Sequence, residues 1–188
     1  MTLTMISKRG YMNKFEVISK YSDKNINLPI RATAHSAGYD FEAAEKIIVP
    51  SYKKIMEQLC DFVAPKVPYE MNELKQIVKM MGLQPTLIPT GIKCHLDEGY
   101  YLELAIRSST PLNNWIILAN GEGIIDGDYY NNPDNEGHIM FQVINLSPID
   151  QIIEKGTKIG QGIIKQYFIT ENDMAGGTRT GGFGSTNE

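Results

Sequence analysis

The sequence predicts an all-β domain, a β-sandwich or barrel-like jelly roll, interrupted once by a small helical insertion. Three observations carry that prediction. Short runs of alternating apolar and polar residues, rich in β-branched and aromatic side chains, recur from Thr86 onward. Each run is bounded by Gly, Pro, Asn or Asp, the residues that tight turns require. Between Tyr52 and Gln84 alone the apolar spacing changes to the three-and-four period of an amphipathic helix.

Phe15 to Ser19 and Lys46 to Val49 read as strands, the second stopped by Pro50. The loop between them, "INLPIRATAHSAG", leads into Tyr39 to Ala43, where polar and apolar residues alternate. "KKIMEQLCDF" then places Ile55, Met56, Leu59 and Phe62 at helical spacing, and "NELKQIVKMMGL" does the same with Leu74, Ile77, Val78 and Met81, closing on Gly82. Strands return with "TLIPTGIKCHL" and with "YYLELAIRSS", which sets Leu102, Leu104 and Ile106 on one face. "WIILANGEGIID", "HIMFQVINLS" and "TKIGQGIIKQYFI" follow. The tail "AGGTRTGGFGSTNE" is too glycine-rich to fold alone.

A chain of 188 residues suits one domain with a real core. The domain is expected over 12–188, with residues 1–11 as a loose tail and Met12 as an alternative start. Eighteen Lys and Arg against 22 Asp and Glu give a net charge of -4, which argues against nucleic acid as a partner. Cys60 and Cys94 have no metal-ligand spacing around them and read as buried thiols of a reducing compartment. His35, His95 and His138 are scattered. No apolar run is long enough to span a membrane, and the start lacks a leader, so a cytoplasmic protein with no membrane partner is expected.

Asp126 is the first candidate for chemistry. It ends an apolar strand at "IIDGDYY", where a carboxylate is partly desolvated yet reachable and can deprotonate water. The alternative is that Asp126-Gly127 opens a hairpin turn. Tyr129 and Tyr130 offer a flat face to a ring, or one of them covers a core edge. Arg107, Ser108 and Ser109 follow an alternating strand, where a guanidinium, hydroxyls and turn amides can meet phosphate oxygens; Ser-Ser-Thr-Pro is equally ordinary turn chemistry. In the tail, glycine N–H groups can meet phosphates, with Arg179 as a charge and Phe183 as a stacking lid; the alternative is a floppy glycine-rich end.

Taken in order, AGYD, RSS, NGEGIIDGDYY, GTKIGQG and GGFGST resemble the five motifs of the homotrimeric dUTPase family, of a bacterial or phage type with a helical insertion. The resemblance implies a jelly-roll-like β-barrel, with a helical insertion at 52–84 and a flexible C-terminal arm at 175–188 closing over a site in the trimer. It implies Mg²⁺-dependent hydrolysis of dUTP to dUMP and pyrophosphate, limiting uracil in DNA and supplying dUMP for thymidylate synthesis. Asp126 would be the general base, and Asp40 would lie near Mg²⁺, mainly through water. Arg107, Ser108, Ser109 and Gln161 would hold phosphates, and Asn120, Ile124, Ile125 and Met140 would form the uracil hairpin and its last contact. Tyr129 would lie under deoxyribose, Phe183 would stack on uracil, and Arg179 and Ser185 would meet the phosphates.

Three features depart from the family's pattern. Arg179 stands two residues before the glycine pair rather than three, the tail ends in GSTNE, and "YNNPDNEG" replaces a short Arg-Gly after Tyr129. The helical insertion is either surface decoration or a site for a protein regulator. A deoxycytidine triphosphate deaminase and a binding or regulatory protein on the same scaffold are the rival readings.

Overall fold

The computed structural model describes residues 13–63, 70–80, 84–177, 179 and 182. Its strands are β1 (Lys14–Val17), β2 (Ile30–Arg31), β3 (Tyr39–Glu42), β4 (Ile47–Val49), β5 (Thr86–Pro89), β6 (Ile92–His95), β7 (Tyr100–Ile106), β8 (Ile116–Leu118), β9 (Gly123–Ile125), β10 (Met140–Asn145), β11 (Gln151–Ile153) and β12 (Lys158–Gln166). Helices α1 (Tyr52–Val63) and α2 (Met71–Met80) form the insertion, and a short α3 (Ser109–Asn114) follows β7.

The largest sheet runs β2-β3-β12-β7-β9, and a smaller one runs β5-β10-β8. Pairs β1-β6 and β11-β4 complete the jelly roll, with every named pairing antiparallel. Alternation decides what lies between the two larger sheets. In β7 Leu102 and Leu104 turn inward, and in β10 Phe141 and Val143 do so; all four are buried. Phe41 of β3 meets Phe141 of β10 across the interior with ring centroids 5.8 Å apart. Such tilted aromatic pairs add ~0.5–1.5 kcal/mol beyond the area they bury.

Gly160 of the GTKIGQG motif is explained by this packing. A Cβ there would fall 2.0 Å from Cε1 of the buried Phe141 ring. The strand passes this close to the ring because the residue has no side chain.

The expected strand at Phe15 to Ser19 ends instead at Val17, and the chain tightens into a 3₁₀ turn over Ser19–Tyr21. The Ser-Ser-Thr-Pro run forms α3 rather than a plain turn, with Pro111 in the first turn, where its missing N–H costs nothing. Both expected insertion helices form. Their root is fixed by Ser51, whose N–H donates to Asp150 Oδ1 at 2.9 Å and whose hydroxyl donates to the Ser147 carbonyl at 2.6 Å. Cys94 is buried, and burial pushes its thiol up to about 12. Cys60, expected to be buried, is exposed on α1, because that helix turns much of its surface to solvent. No helix among the described residues is long and apolar enough to cross a membrane.

Candidate active site

The family resemblance implies that Asn120, Ile124, Ile125 and Asp126 lie on one hairpin. The structure separates its two arms. β8 pairs with β10 in the smaller sheet, and β9 pairs with β7 in the larger one. The loop between them therefore bridges two sheets, and a cavity of about 200 Å³ opens beneath it. Leu118 and Asn120 line one side, Gly123, Ile124 and Ile125 the other, with Met140, Phe141 and Gln142 of β10 and Tyr129 completing the wall.

Local sequence explains how the cleft is held open. Gly123 lets β9 lie tight against β7, since a Cβ there would already sit 3.0 Å from Leu104 Cβ. The opposite arm is tied down by the Ala119 N–H, which donates to the Gln142 carbonyl at 2.9 Å. Ligand pockets commonly span roughly 300–1,000 Å³, so this cavity suits one ring and part of its substituent better than a whole nucleotide.

Asp126 follows β9 directly, in extended conformation, and the chain then turns through a 3₁₀ helix at Gly127–Tyr129. Asp126-Gly127 thus does not open a hairpin. The 3₁₀ turn drops Tyr129 into the core, 5% exposed, while the Asp126 side chain stays 47% exposed at the pocket's lip. Burial raises the Tyr129 phenol above its ordinary value, and the bond from Asn135 opposes that shift. Tyr130 points elsewhere, donating to Glu16 on β1. Of the two tyrosines, only Tyr129 belongs to the pocket.

Arg179 reaches the same lip. Its Nη2 donates to Asp126 Oδ2, and its Nε donates to Asp128 Oδ1 at 2.7 Å. Gly182 lies over the Tyr129 ring, where a Cβ would come within 2.7 Å of Cε2. The pocket therefore gathers Asn120, Ile124, Ile125, Asp126, Tyr129, Met140 and Arg179. Phe183 and Ser185 lie outside the described residues.

A second constellation forms on β3, β7 and β12. Asp40, 8% exposed, is approached by Arg107 Nε at 3.4 Å and Lys158 Nζ at 2.9 Å. Gln161 faces Asp40 in the β12–β3 register and Ala105 in the β12–β7 register. Ser108 and Ser109 are exposed at the start of α3. The cavity that holds Asp126 includes none of Arg107, Ser108, Ser109, Gln161 or Asp40.

Lys158, Asp128, Gly123 and Gln142 were not singled out from the sequence. Lys158 had a signal: it sits three residues before Gln161 in the GTKIGQG motif, and once that strand is paired with AGYD it stands opposite Glu42, two residues along from Asp40. Asp128 also had one, as the second carboxylate of "IIDGDYY".

Comparisons with known proteins identify the family and the fold. The dUTPase family model matches residues 67–187. The deoxyuridine 5′-triphosphate nucleotidohydrolase of Lactococcus lactis subsp. lactis (strain IL1403) is 39% identical over 174 residues, covering 92% of this chain and 95% of that one. Among solved structures, the dUTPase from Streptococcus mutans superposes with a TM-score of 0.64 at 33% identity, over 84% of this chain and 98% of that one. A mutant dUTPase from phage phi11 of S. aureus, whose structure details the coordination of a structural Mg(II) ion, shares the fold with a TM-score of 0.56 at 16% identity, covering 87% and 95%. The motif order, the jelly roll and these relatives lead to one conclusion: the chain belongs to the dUTPase family.

Proposed function

We propose that this protein hydrolyses dUTP to dUMP and pyrophosphate by attack of water on the α-phosphorus. The observation that carries the reading is the placement of Asp126. A half-exposed carboxylate stands at the lip of a cavity walled by Leu118, Ile125 and Phe141 and floored by a buried tyrosine. The uracil ring enters with its flat faces against these apolar walls, and the phosphate chain stays at the rim beside the carboxylate.

Asp126 orients the water and takes its proton as the new oxygen–phosphorus bond forms. The bond from the α-phosphorus to the bridging oxygen breaks, and pyrophosphate leaves with that electron pair. A positioned base of this kind contributes ~10²–10⁴ in rate. Most of the remaining catalysis is positioning and preorganised charge. Arg179 pairs with both Asp126 and Asp128 at the pocket's lip. Bound phosphates compete for that guanidinium and free the base.

Mg²⁺ fits this chain as an ion that travels with the triphosphate rather than one the protein holds by itself. Among the described residues no group of three or more His, Cys, Asp or Glu could hold a metal ion, and both oxygens of Asp40 face cations. Asp40 then acts by fixing Arg107 and Lys158 for the phosphates.

The reading also calls for more than one copy of the chain. The base and the base-binding cavity lie apart from the Arg107, Ser108 and Gln161 constellation, as expected if a homotrimer completes each site from neighbouring copies. Two free thiols fit a cytoplasmic setting. Pyrophosphate release from dUTP, dCTP, dTTP and UTP with Mg²⁺ tests the proposal. Turnover of dUTP far above the others supports it; turnover of none turns the chain into a binding protein on this scaffold, and release of ammonia from dCTP turns it into a deaminase.

A further inference from the structure

We propose that Asn135 is a positioning residue for Tyr129 and, through that ring, sets the pocket's preference for a 2′-deoxy sugar; this rests on reading the cavity as a deoxyribonucleotide site. The starting point is the Tyr129 hydroxyl. It donates to the His138 carbonyl at 3.0 Å and accepts from Asn135 Nδ2 at 2.9 Å. A phenol has one proton to give. Here that proton is committed to the protein backbone, so the hydroxyl has none for a sugar. A ribose 2′-OH pressed against the ring carbons is then buried without a partner, which is costly.

The clamp is built on both sides. The amide of Asn135 is used twice: Nδ2 holds the phenol while Oδ1 accepts the Gly137 N–H at 3.0 Å. One side chain thus couples the fold of the Asn131–Gly137 turn to the orientation of the pocket floor. The other jaw is His138, 6% exposed, whose Nε2 accepts the Gly91 N–H at 2.9 Å. The turn also presses on Tyr129 directly. Gly137, at φ 77°, lies so near that a Cβ would stand 2.4 Å from the Tyr129 carbonyl oxygen. This is the segment "YNNPDNEG", and the clamp gives it a task at the sugar.

Asn135→Asp is the discriminating variant. It keeps an oxygen for the Gly137 N–H and replaces only the group that donates to Tyr129, setting a second acceptor against the phenol. Steady-state kcat/KM is measured for dUTP and UTP. The expected result is a ~10-fold fall in the dUTP-to-UTP ratio, the size of one misplaced buried polar contact. Tyr129→Phe, which keeps the ring and deletes the hydroxyl, is expected to lose the ratio to a similar extent. Combined with it, Asn135→Asp adds no further loss, because the coupling has already been removed.

A merely structural role lowers kcat/KM for both nucleotides equally. An unchanged ratio in a selective wild-type background therefore overturns the inference and leaves the dUTPase reading standing. Independent, additive effects of the two substitutions overturn it as well. Should Asn135→Asp not fold, the ratio in Tyr129→Phe alone decides in the same way. A wild-type protein without dUTP turnover sinks the functional reading itself, and this inference with it.

Discussion

His138 makes the fold sensitive to mild acid. The side chain is buried, and burial, helped by the nearby Lys20 charge and opposed by Glu136, lowers its pKa from 6.5 to about 4. Its Nε2 already accepts a hydrogen bond from Gly91, so protonation of that nitrogen breaks the bond as well as burying a charge. The unfolded chain takes up the proton near pH 6.5, and the folded chain resists until about pH 4. Between those values the unfolded state binds more protons, so stability is complete above pH 6.5 and falls as the pH drops toward 4. At about 1.4 kcal/mol per pH unit the full contribution is ~3 kcal/mol, with ~2.5 kcal/mol lost by pH 4.5. The assay is urea unfolding at about pH 7 and pH 4.5, at one fixed protein concentration, for the wild type and for His138→Gln. Carboxylates contribute their own acid loss to both proteins, so the difference between them is the quantity of interest. The wild type is expected to lose ~2.5 kcal/mol more than the variant over that interval. Identical losses would refute the argument, since the slope would then belong to other groups.

Other expectations follow from packing and chemistry. Gly160→Ala drives a methyl into the buried Phe141 ring and is expected to cost ~1–3 kcal/mol, read as a fall in the urea midpoint without a change in slope. In the native protein a thiol reagent such as Ellman's is expected to label Cys60 quickly and Cys94 only after unfolding, because Cys94 is buried with its thiol at about 12. Arg107→Ala and Asp126→Asn, each strongly impaired alone, are expected to regain dUTP turnover when unfolded and refolded together. Random mixing restores about one site in four if each site takes these two residues from different copies; no recovery would mean that one copy supplies both.

Much of the barrel was legible because its strands are rich in β-branched and aromatic residues and are bounded by turn residues, and because some of them alternate. β10 alternates strictly between buried and half-buried residues, and β7 carries Leu102, Leu104 and Ile106 at every second position, so both are recognisable without the rest of the molecule. Partner choice is not. The resemblance puts Asn120 and Asp126 on one hairpin, but the strands on either side, β8 and β9, pair in different sheets, and the cavity lies between them. The same limit applied at the site. Asp126 and Tyr129 stand in one motif and were found together, whereas the cations that flank Asp40 come from Arg107 and Lys158, far away in the chain. Asn135 had no signal in composition or spacing. Its part emerges only when a surface turn folds back onto a buried phenol.

The central claim is that Asp126 activates the water that attacks dUTP. The most direct measurement compares pyrophosphate release from dUTP by the wild type and by Asp126→Asn, alongside binding of a non-hydrolysable dUTP analogue to both. The account predicts that the variant still binds the analogue and loses ~10²–10⁴ in kcat. Turnover within a few-fold of the wild type, with binding intact, would contradict it and move the base to another group at the pocket's lip.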